Sequence, residues 1–313
     1  MKKVTPFILL ILMMLDASCK KDEGCGYVDI GIHYTVNDGA LTTDTLCYVN
    51  EARNAFLITE IQWFMSDIQL LDSKRRWHIL QQRDAVDSVA MLTNNIFYID
   101  TNIPESQTLH TSSIPCGNYQ ALRFTFGLNE EDNRTGLFGN APEANMFWPE
   151  LLGGGYHYMK LNGRFVNADN EVAPLNIHLG IGQNGDQGTF CQNYFSVELP
   201  IDVNINENTE NQLDITMIVD NWFRSPNLYD FNEFGSAIMQ NQNAQQMLKE
   251  NGNDVFSTEQ IEIQNGMKTK EQKSFWQTCQ DFIHQGAPKP HFWQWENVKQ
   301  TVESIRNDWK QKS

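Results

Sequence analysis

The sequence predicts a mainly β protein, an antiparallel β-sandwich with a helical C-terminal extension. Apolar and polar residues alternate with a period of two through most of residues 27–223, which is typical of half-buried strands. Turn-forming residues such as Asn37-Asp38-Gly39 separate the alternating segments. After Asp220 the apolar residues recur at helical spacing instead. Many short strands with turns between them favour a sandwich or a related barrel.

Two early segments predict the directions in which their side chains point. In residues 28–36 the even positions are apolar, so His33 is predicted to face away from the core. Residues 56–71 read as one long strand, in which the apolar positions are odd up to Met65 and even from Ile68 onwards. A β-bulge between these two residues would account for the change of face.

The later strands follow from the same alternation. In residues 175–181 the odd positions are apolar, so His178 is also predicted to face away from the core. By the same count, His157 shares its face with Met159. The other predicted strands are residues 122–128, 195–205 and 213–219.

The chain after residue 230 is predicted to be helical. We expect these helices to cover an edge or an end of the β body rather than to form a domain of their own. The β-rich domain is accordingly residues 27–257, and the helical extension is residues 258–313. The predicted helices are residues 231–249, ended by Asn251-Gly252, and about 270–284 and 294–310.

The first residues predict export from the cytoplasm. Lys2 and Lys3 precede an apolar run from Phe7 to Leu15. A membrane-spanning helix needs about 20 apolar residues, and this run is much shorter. The run is therefore interpreted as the apolar part of a signal peptide.

A lipid attachment site is predicted after the apolar run. The segment Leu15-Asp16-Ala17-Ser18-Cys19 resembles a bacterial lipobox. Residues 1–18 are therefore interpreted as a lipoprotein signal peptide, and Cys19 as the lipidated residue that holds the protein at a membrane. Residues 19–26 then form a tether, whose charged start is similar to signals that direct lipoproteins to the outer face of the outer membrane. The alternatives are a plain secretory signal and a buried core segment.

Charge and cysteine content argue against two kinds of site. The net charge of −16, without a cluster of Lys and Arg, argues against nucleic acid as a partner. In an oxidising compartment some of the cysteines after Cys19 are expected to pair, but the sequence does not select the pairing. The absence of Cys-x-x-Cys spacing argues against a thiolate zinc site. These cysteines are Cys25, Cys47, Cys116, Cys191 and Cys279.

Sequence motifs of common enzymes are absent. The chain has no Gly-x-Ser-x-Gly nucleophile motif, no His-Glu-x-x-His zinc motif and no phosphate-binding loop. We therefore expect a binding protein rather than an enzyme.

Histidines in predicted strands form the candidate metal site. His33, His157 and His178 each lie in such a strand, and rigid strands fix the direction of metal ligands. Met159 adds a thioether two residues after His157. Imidazole binds copper and zinc, whereas thioether favours Cu(I). Surface histidines and a methionine that fills the core are the structural alternatives.

Six segments resemble the MbnP-like family in sequence and in order. This family comprises methanobactin-associated copper-binding proteins and many lipoproteins. The resemblance covers about residues 27–257, and its most specific segment is NMFWPELLGGGYHYMKLNGRF at residues 145–165. The other segments are ITEIQWFMSDIQLLD (58–72), CGNYQALRFTFGLN (116–129), NIHLG (176–180), MIVDNWF (217–223) and IMQNQNAQQMLKENGNDVF (238–256).

The resemblance implies a β-rich protein outside the cytoplasm that binds copper. By position it implies His33, His157 and His178 as ligands, and the His-x-Met pair adds Met159 as a soft fourth candidate. In some members a partner di-haem enzyme of the cytochrome c peroxidase type oxidises a tryptophan beside the metal to kynurenine. The resemblance assigns this role to Trp148, after which the chain departs from the Trp-x-Trp spacing of other members.

Two further features bear on the site. Glycines at residues 153–155 permit positive φ, and they are interpreted either as a close approach of the backbone to a ligand or strand, or as a flexible turn. Asp220 is predicted either to hydrogen-bond a ligating imidazole or to cap the turn into the helical part.

The resulting hypothesis is a lipid-anchored protein that takes up, stores or delivers copper. The chief alternative is a surface lipoprotein that binds glycans or a protein partner through aromatic residues, without a metal. A scaffold lipoprotein with no small ligand is the third hypothesis. The tryptophans considered for stacking are Trp148, Trp222, Trp293 and Trp295.

Overall fold

The structure is a computed structural model, which describes residues 24–83, 93–184, 189–207 and 211–258. The predicted signal peptide with Cys19, the last two predicted helices and Cys279 lie outside these residues. In the described ranges, no helix is long and apolar enough to cross a membrane.

Strands dominate the described chain, as the alternating pattern predicts. They are β1 (Cys25–Gly26), β2 (Val28–Val36), β3 (Gly39–Ala40), β4 (Tyr48–Val49), β5 (Ala55–Asp72), β6 (Trp77–Ile79), β7 (Ile96–Asp100), β8 (Thr108–His110), β9 (Ile114–Pro115), β10 (Gly117–Phe126), β11 (Met159–Val166), β12 (Val172–Leu179), β13 (Gly182–Gln183), β14 (Phe190–Cys191), β15 (Phe195–Ile205), β16 (Asn211–Ile218) and β17 (Phe256–Ser257). Most of these strands belong to two sheets, while β1–β9 and β13–β14 form separate pairs.

The larger sheet has eight strands, and its pairs are antiparallel. Its main order is β12-β11-β5-β10-β15, and β4, β6 and β7 also pair with β5. Strand β5 is rich in β-branched and aromatic residues, which favour extended backbone. Because it has 18 residues, it is long enough to pair with several shorter strands.

A bulge in β5 confirms the predicted change of face. Between Ser66 and Gln69, β5 has one residue more than the segment of β10 that it faces. Asp67 lies at this point with a φ of 54°. The extra residue reverses the alternation, so the apolar positions before and after Asp67 are both buried.

The smaller sheet has five strands and is mixed. Its main order is β17-β16-β2-β3, and β8 also pairs with β2. Strands β2 and β16 run parallel, whereas the other pairs are antiparallel. The predicted antiparallel arrangement is therefore found in the larger sheet but not in the β2–β16 pair of the smaller sheet. A parallel pair needs a long connection, and here the strands of the larger sheet supply it.

The core lies between the two sheets, which meet at Trp63. This residue of β5 is fully buried, and its Nε1 donates to the hydroxyl of Tyr34 in β2 at 2.9 Å. Its ring also packs on Phe126 of β10 and Phe256 of β17. Because side chains of both sheets contact one indole, the two sheets pack face to face as a β-sandwich.

A second apolar layer covers the outer face of the larger sheet. Phe64, one residue from a core position of β5, stacks on Phe138 with 5.4 Å between ring centroids. Phe64 and Phe138 also contact Tyr156 edge-on. This layer holds residues 127–158 against the outside of the sheet, next to β11 and β12.

The helical segment is more broken than predicted. The prediction of one helix over residues 231–249 is wrong, because Ala237 adopts a φ of 58° and interrupts it. The Asn241 side chain then caps a new helix by accepting from the backbone N–H of Ala244. The α-helices are α1 (Phe231–Phe234) and α2 (Gln242–Asn251), and the 3-10 helices are Pro104–Gln107, Glu143–Met146, Glu150–Leu152, Val219–Phe223, Ile238–Gln240 and Gly252–Asp254.

Candidate metal centre

Two histidines meet on the outer face of the larger sheet. His178 lies in β12 directly opposite Lys160 of β11. Its neighbour Leu179 is fully buried in the core, so the His178 side chain points outwards, as the alternation predicts. His157 lies two residues before β11, and its ring contacts that of His178. The ring centroids are 5.1 Å apart, with the ring planes at 84°.

A backbone hydrogen bond fixes the proton of His157 on Nδ1. This atom lies 2.9 Å from the carbonyl oxygen of Met146, which can only accept a hydrogen bond. Nε2 therefore keeps its lone pair. Nε2 is buried and has no hydrogen-bond partner among the described residues. A buried lone pair without a donor is suited to coordinate a metal ion.

His178 presents the other ring nitrogen. Its Nε2 lies 2.9 Å from Oδ1 of Asn162. The same orientation of the Asn162 amide lets its Nδ2 donate to Glu60 at 3.4 Å. Because Oδ1 accepts, Nε2 of His178 carries the proton and Nδ1 has the lone pair. Each imidazole is thus oriented through one nitrogen and offers the other, the arrangement common in metal-binding histidines.

Burial keeps both imidazoles neutral. Desolvation lowers the pKa of His157 to about 3 and that of His178 to about 4. The positive charge of Lys160 is a smaller contribution to both of these shifts. Protons compete with metal ions for the ring nitrogens, so two rings that are neutral at pH 7 are available as ligands.

Trp148 packs against His157. Their ring centroids are 4.7 Å apart and the ring planes lie at 77°. The buried indole donates from Nε1 to the carbonyl oxygen of Leu152 at 3.0 Å. It also lies against Gly180, where an added Cβ would come within 2.6 Å of the ring atom Cε3. The absence of a side chain at Gly180 therefore makes room for Trp148 beside the histidine.

The glycines at residues 153–155 return the chain from Trp148 to His157. All have positive φ, of 115°, 68° and 77° in order. Their turn lets the N–H of Trp148 donate to the carbonyl oxygen of Gly155 at 2.8 Å. A Cβ at Gly155 would clash with Asn133. Of the two interpretations of these glycines, the geometry favours close backbone approach.

Met159 lies on the opposite face of the sheet from the histidine pair. It is fully buried in β11 and pairs with Leu179 of β12. Its thioether therefore points into the core, whereas His178 points outwards. The expected shared face of His157 and Met159 does not occur, because the chain at His157 has not yet entered the strand.

His33 and Asp220 also lie away from the pair. His33 belongs to β2 of the smaller sheet, where its exposed ring lies 3.0 Å from Oδ1 of Asp214. Asp220 accepts from the backbone N–H of Asn37 and from Arg224, each at 3.3 Å. These contacts connect the turn after β2 to the start of the helical part, but the 3-10 helix Val219–Phe223 has no side-chain cap, so the predicted capping role of Asp220 is wrong.

The site also contains residues that the sequence did not indicate. Lys160 faces His178, and its Nζ donates to the carbonyl oxygen of Asn145 at 2.6 Å. Asn162 lies two residues later and therefore on the same face of β11. Alternation within β11 reveals this polar face, but it does not reveal that β12 lies next to it. The carbonyl of Met146 has no signal in the sequence at all.

The described donor set consists of two imidazole nitrogens. Structural zinc takes four protein ligands, and catalytic zinc takes three. Over the described residues, no group of three or more His, Cys, Asp or Glu side chains is placed to hold a metal ion. Cu(I) is a closed-shell ion that accepts low coordination numbers, and imidazole is among its ligands. One ring nitrogen of His157 and one of His178 match the low coordination number that Cu(I) accepts.

The comparisons with known proteins give one matching family model and one similar solved structure. The family model of MbnP matches residues 26–245. The solved structure of MbnP from Methylosinus trichosporium is similar, with 14% sequence identity and a TM-score of 0.45, covering 65% of this chain and 79% of that chain. No curated protein matches the sequence. The family match confirms the resemblance, and it contains five of the six segments entirely and the start of the sixth, residues 238–256. The chain belongs to the MbnP family.

Proposed function

We propose that this protein binds copper outside the cytoplasm through His157 and His178, and that it takes up, stores or delivers the ion. The buried Nε2 of His157 carries the proposal. It has a lone pair and no hydrogen-bond partner in the described part of the chain, and a second imidazole lies against its ring. Membership of the MbnP family, with its copper-binding members, supports the choice of metal.

A lipid anchor at Cys19 and a place at the outer membrane are part of this proposal. Their support is the apolar run and the lipobox-like segment that precede Cys19. Fractionation of cells that produce the wild type and Cys19→Ala tests the anchor. The wild type should sediment with outer membranes and the variant should be soluble, whereas equal membrane association would exclude lipidation at Cys19.

Trp148 is the residue that we assign to oxidation, by a partner di-haem enzyme of the cytochrome c peroxidase type. Its contact with His157 supports the assignment, because an oxidised product would lie next to the metal. Mass spectrometry of the peptide that contains Trp148, with and without co-production of such an enzyme, tests it. An unchanged peptide mass after co-production would exclude this modification.

Copper titration tests the two-histidine site. Protein that begins at residue 20 is titrated with Cu(I) in competition with a chromogenic chelator. Loss of a group that only orients a metal ligand costs up to about 100-fold in affinity, so His157→Ala and His178→Ala should each cost at least that much. His33→Ala and His110→Ala are matched controls, because both rings are exposed and lie beside Asp side chains.

The controls should bind copper as the wild type does. If the double variant with both His157→Ala and His178→Ala retains wild-type affinity for Cu(I), the proposed site is wrong. If the controls lose affinity as well, the loss reflects general damage to the fold or a site elsewhere.

An amide-lined groove favours a second candidate function, the binding of an uncharged glycan. Its volume is about 460 Å³. Nε2 of Gln183 is buried with no hydrogen-bond partner among the described residues, and Phe190 faces Gln183 across β13–β14 with 42% of its surface exposed. Amides match sugar hydroxyls, and an exposed ring provides a stacking surface. The groove is lined by Gln183, Asn184, Gln240, Asn241, Gln242 and Asn243.

The two described tryptophans do not offer an exposed stacking surface for this second candidate. Trp148 and Trp222 are buried, and Trp293 and Trp295 lie outside the described residues. A glycan array with wild type and Gln183→Ala tests the groove. Gln246→Ala is the control, since that exposed amide donates to Glu250 on α2. Absence of any glycan signal that depends on Gln183 would exclude the groove as a site.

A further inference from the structure

A positively charged side chain lies beside the two histidines, in a protein whose net charge is −16, while the carboxylate of Glu60 approaches through Asn162, which lies between it and His178. Lys160 lies directly opposite His178 in the β11–β12 pair. Residues in such positions have Cβ atoms about 5 Å apart, so the lysine side chain starts next to the imidazole. Electrostatic interactions with Lys160 act on both His157 and His178, and no carboxylate of the described chain is among the groups that act on both rings.

A hydrogen bond holds the ammonium group at this position. Nζ of Lys160 donates to the carbonyl oxygen of Asn145 at 2.6 Å. The next carbonyl along the chain, that of Met146, accepts from Nδ1 of His157. The ammonium and the His157 ring are therefore held by consecutive carbonyl groups of one segment. Partial burial lowers the pKa of Lys160, and the carboxylate of Glu60 in β5 opposes this shift.

We propose that Lys160 determines the metal specificity of the two-histidine site, by favouring Cu(I) over Cu(II) and other divalent ions. This inference rests on the proposed copper function. Neutral imidazoles bring no negative charge to the ion, so the ligands do not offset repulsion by the ammonium. Coulomb repulsion is proportional to the charge of the ion, so it is twice as large for Cu(II) as for Cu(I).

The expected effect is measured as the ratio of two dissociation constants, that for Cu(II) over that for Cu(I). Coulomb's law at an effective dielectric constant of about 20, reduced for the partial exposure of Lys160, gives a contribution of about tenfold to this ratio. A tenfold change corresponds to about 59 mV in the reduction potential of a one-electron couple.

Variants at Lys160 separate its charge from its hydrogen bond. Lys160→Gln removes the charge and keeps an N–H donor, whereas Lys160→Arg keeps both. Lys249→Gln is the matched control, because Nζ of Lys249 also donates to a backbone carbonyl, that of Gln192, at 2.8 Å. Both dissociation constants are measured by chelator competition on protein that begins at residue 20. Titrations with Ag(I) and Zn(II) repeat the comparison between monovalent and divalent ions without redox chemistry.

Lys160→Gln should lower the ratio by about tenfold and the reduction potential by about 59 mV. Lys160→Arg and Lys249→Gln should leave the ratio within about twofold of the wild type. A wild-type ratio in Lys160→Gln, or an equal loss of affinity for both ions, would refute this role of Lys160 while leaving the copper site in place. Failure of the wild type to bind either copper ion would instead refute the proposed function.

Discussion

Acidification should destabilise the metal-free protein through His157 and His178. In the folded state desolvation lowers the pKa of His157 to about 3 and that of His178 to about 4. In the unfolded chain a histidine has a pKa of about 6.5. Between these values the unfolded state binds more protons than the folded state, so the free energy of unfolding falls as the pH falls below about 6.5.

The size of the effect follows from these pKa values. Well below pH 6.5, each pH unit costs about 1.4 kcal/mol per histidine, until the folded-state pKa is reached. From pH 7 to 5.5 each histidine accounts for about 1.3 kcal/mol, and the pair for about 2–3 kcal/mol. Carboxylates with pKa values near 4 stay ionised in both states over this window, so their contribution is small.

Urea unfolding of the metal-free protein at several pH values from 7 to 5.5 measures the effect. The wild type is compared with a double variant, His157→Gln and His178→Gln. The double variant should lose about 2–3 kcal/mol less than the wild type over this range, whatever its stability at pH 7. His33→Gln is the control, because the His33 ring is exposed.

The slope of the free energy of unfolding against pH tests whether burial keeps the two imidazoles neutral. If the wild type and the double variant have the same slope, the two imidazoles are not held neutral by burial. The description of the site as a pair of available neutral ligands would then be wrong.

Three further predictions concern the surroundings of the pair. Gly180→Ala places a Cβ against Trp148 and should destabilise the protein by about 1–3 kcal/mol, with altered tryptophan fluorescence; unchanged stability and emission would contradict the close contact. Gly155→Ala places a Cβ against Asn133 at a residue with left-handed φ, so urea unfolding should show a loss of at least about 2 kcal/mol in the free energy of unfolding. An unchanged free energy of unfolding would show that the turn can rearrange to accept the methyl group. His33→Ala removes only an exposed contact with Asp214, so it should change the free energy of unfolding by less than about 1 kcal/mol and leave the affinity for Cu(I) unchanged. A loss of Cu(I) affinity in this variant would show that His33 belongs to the metal site.

Local patterns predicted the faces of the strands well. The alternation in β2 and β12 placed His33 and His178 on outward faces, and the reversal within β5 located the bulge at Asp67. These features depend on a few neighbouring residues, since the period of a strand follows from its own backbone geometry.

Features that depend on distant parts of the chain were not predictable in this way. Alternation shows that a histidine points outwards, but not which sheet carries it, so His33 and His178 looked equivalent in the sequence. The parallel pairing of β2 with β16 joins strands that are far apart in the chain. His157 was assigned to the wrong face because the strand was extended too far towards the glycine turn.

The proton of His157 is positioned by main-chain oxygen, with a consequence for mutagenesis. No substitution at Met146 removes a carbonyl group, so every side chain there leaves the tautomer of the ring intact as long as the loop keeps its course. In a scan of single substitutions, changes at Met146 would affect stability only through the volume of its buried side chain. The position of the proton on the His157 ring therefore depends on the path of a loop rather than on the identity of any one residue in it.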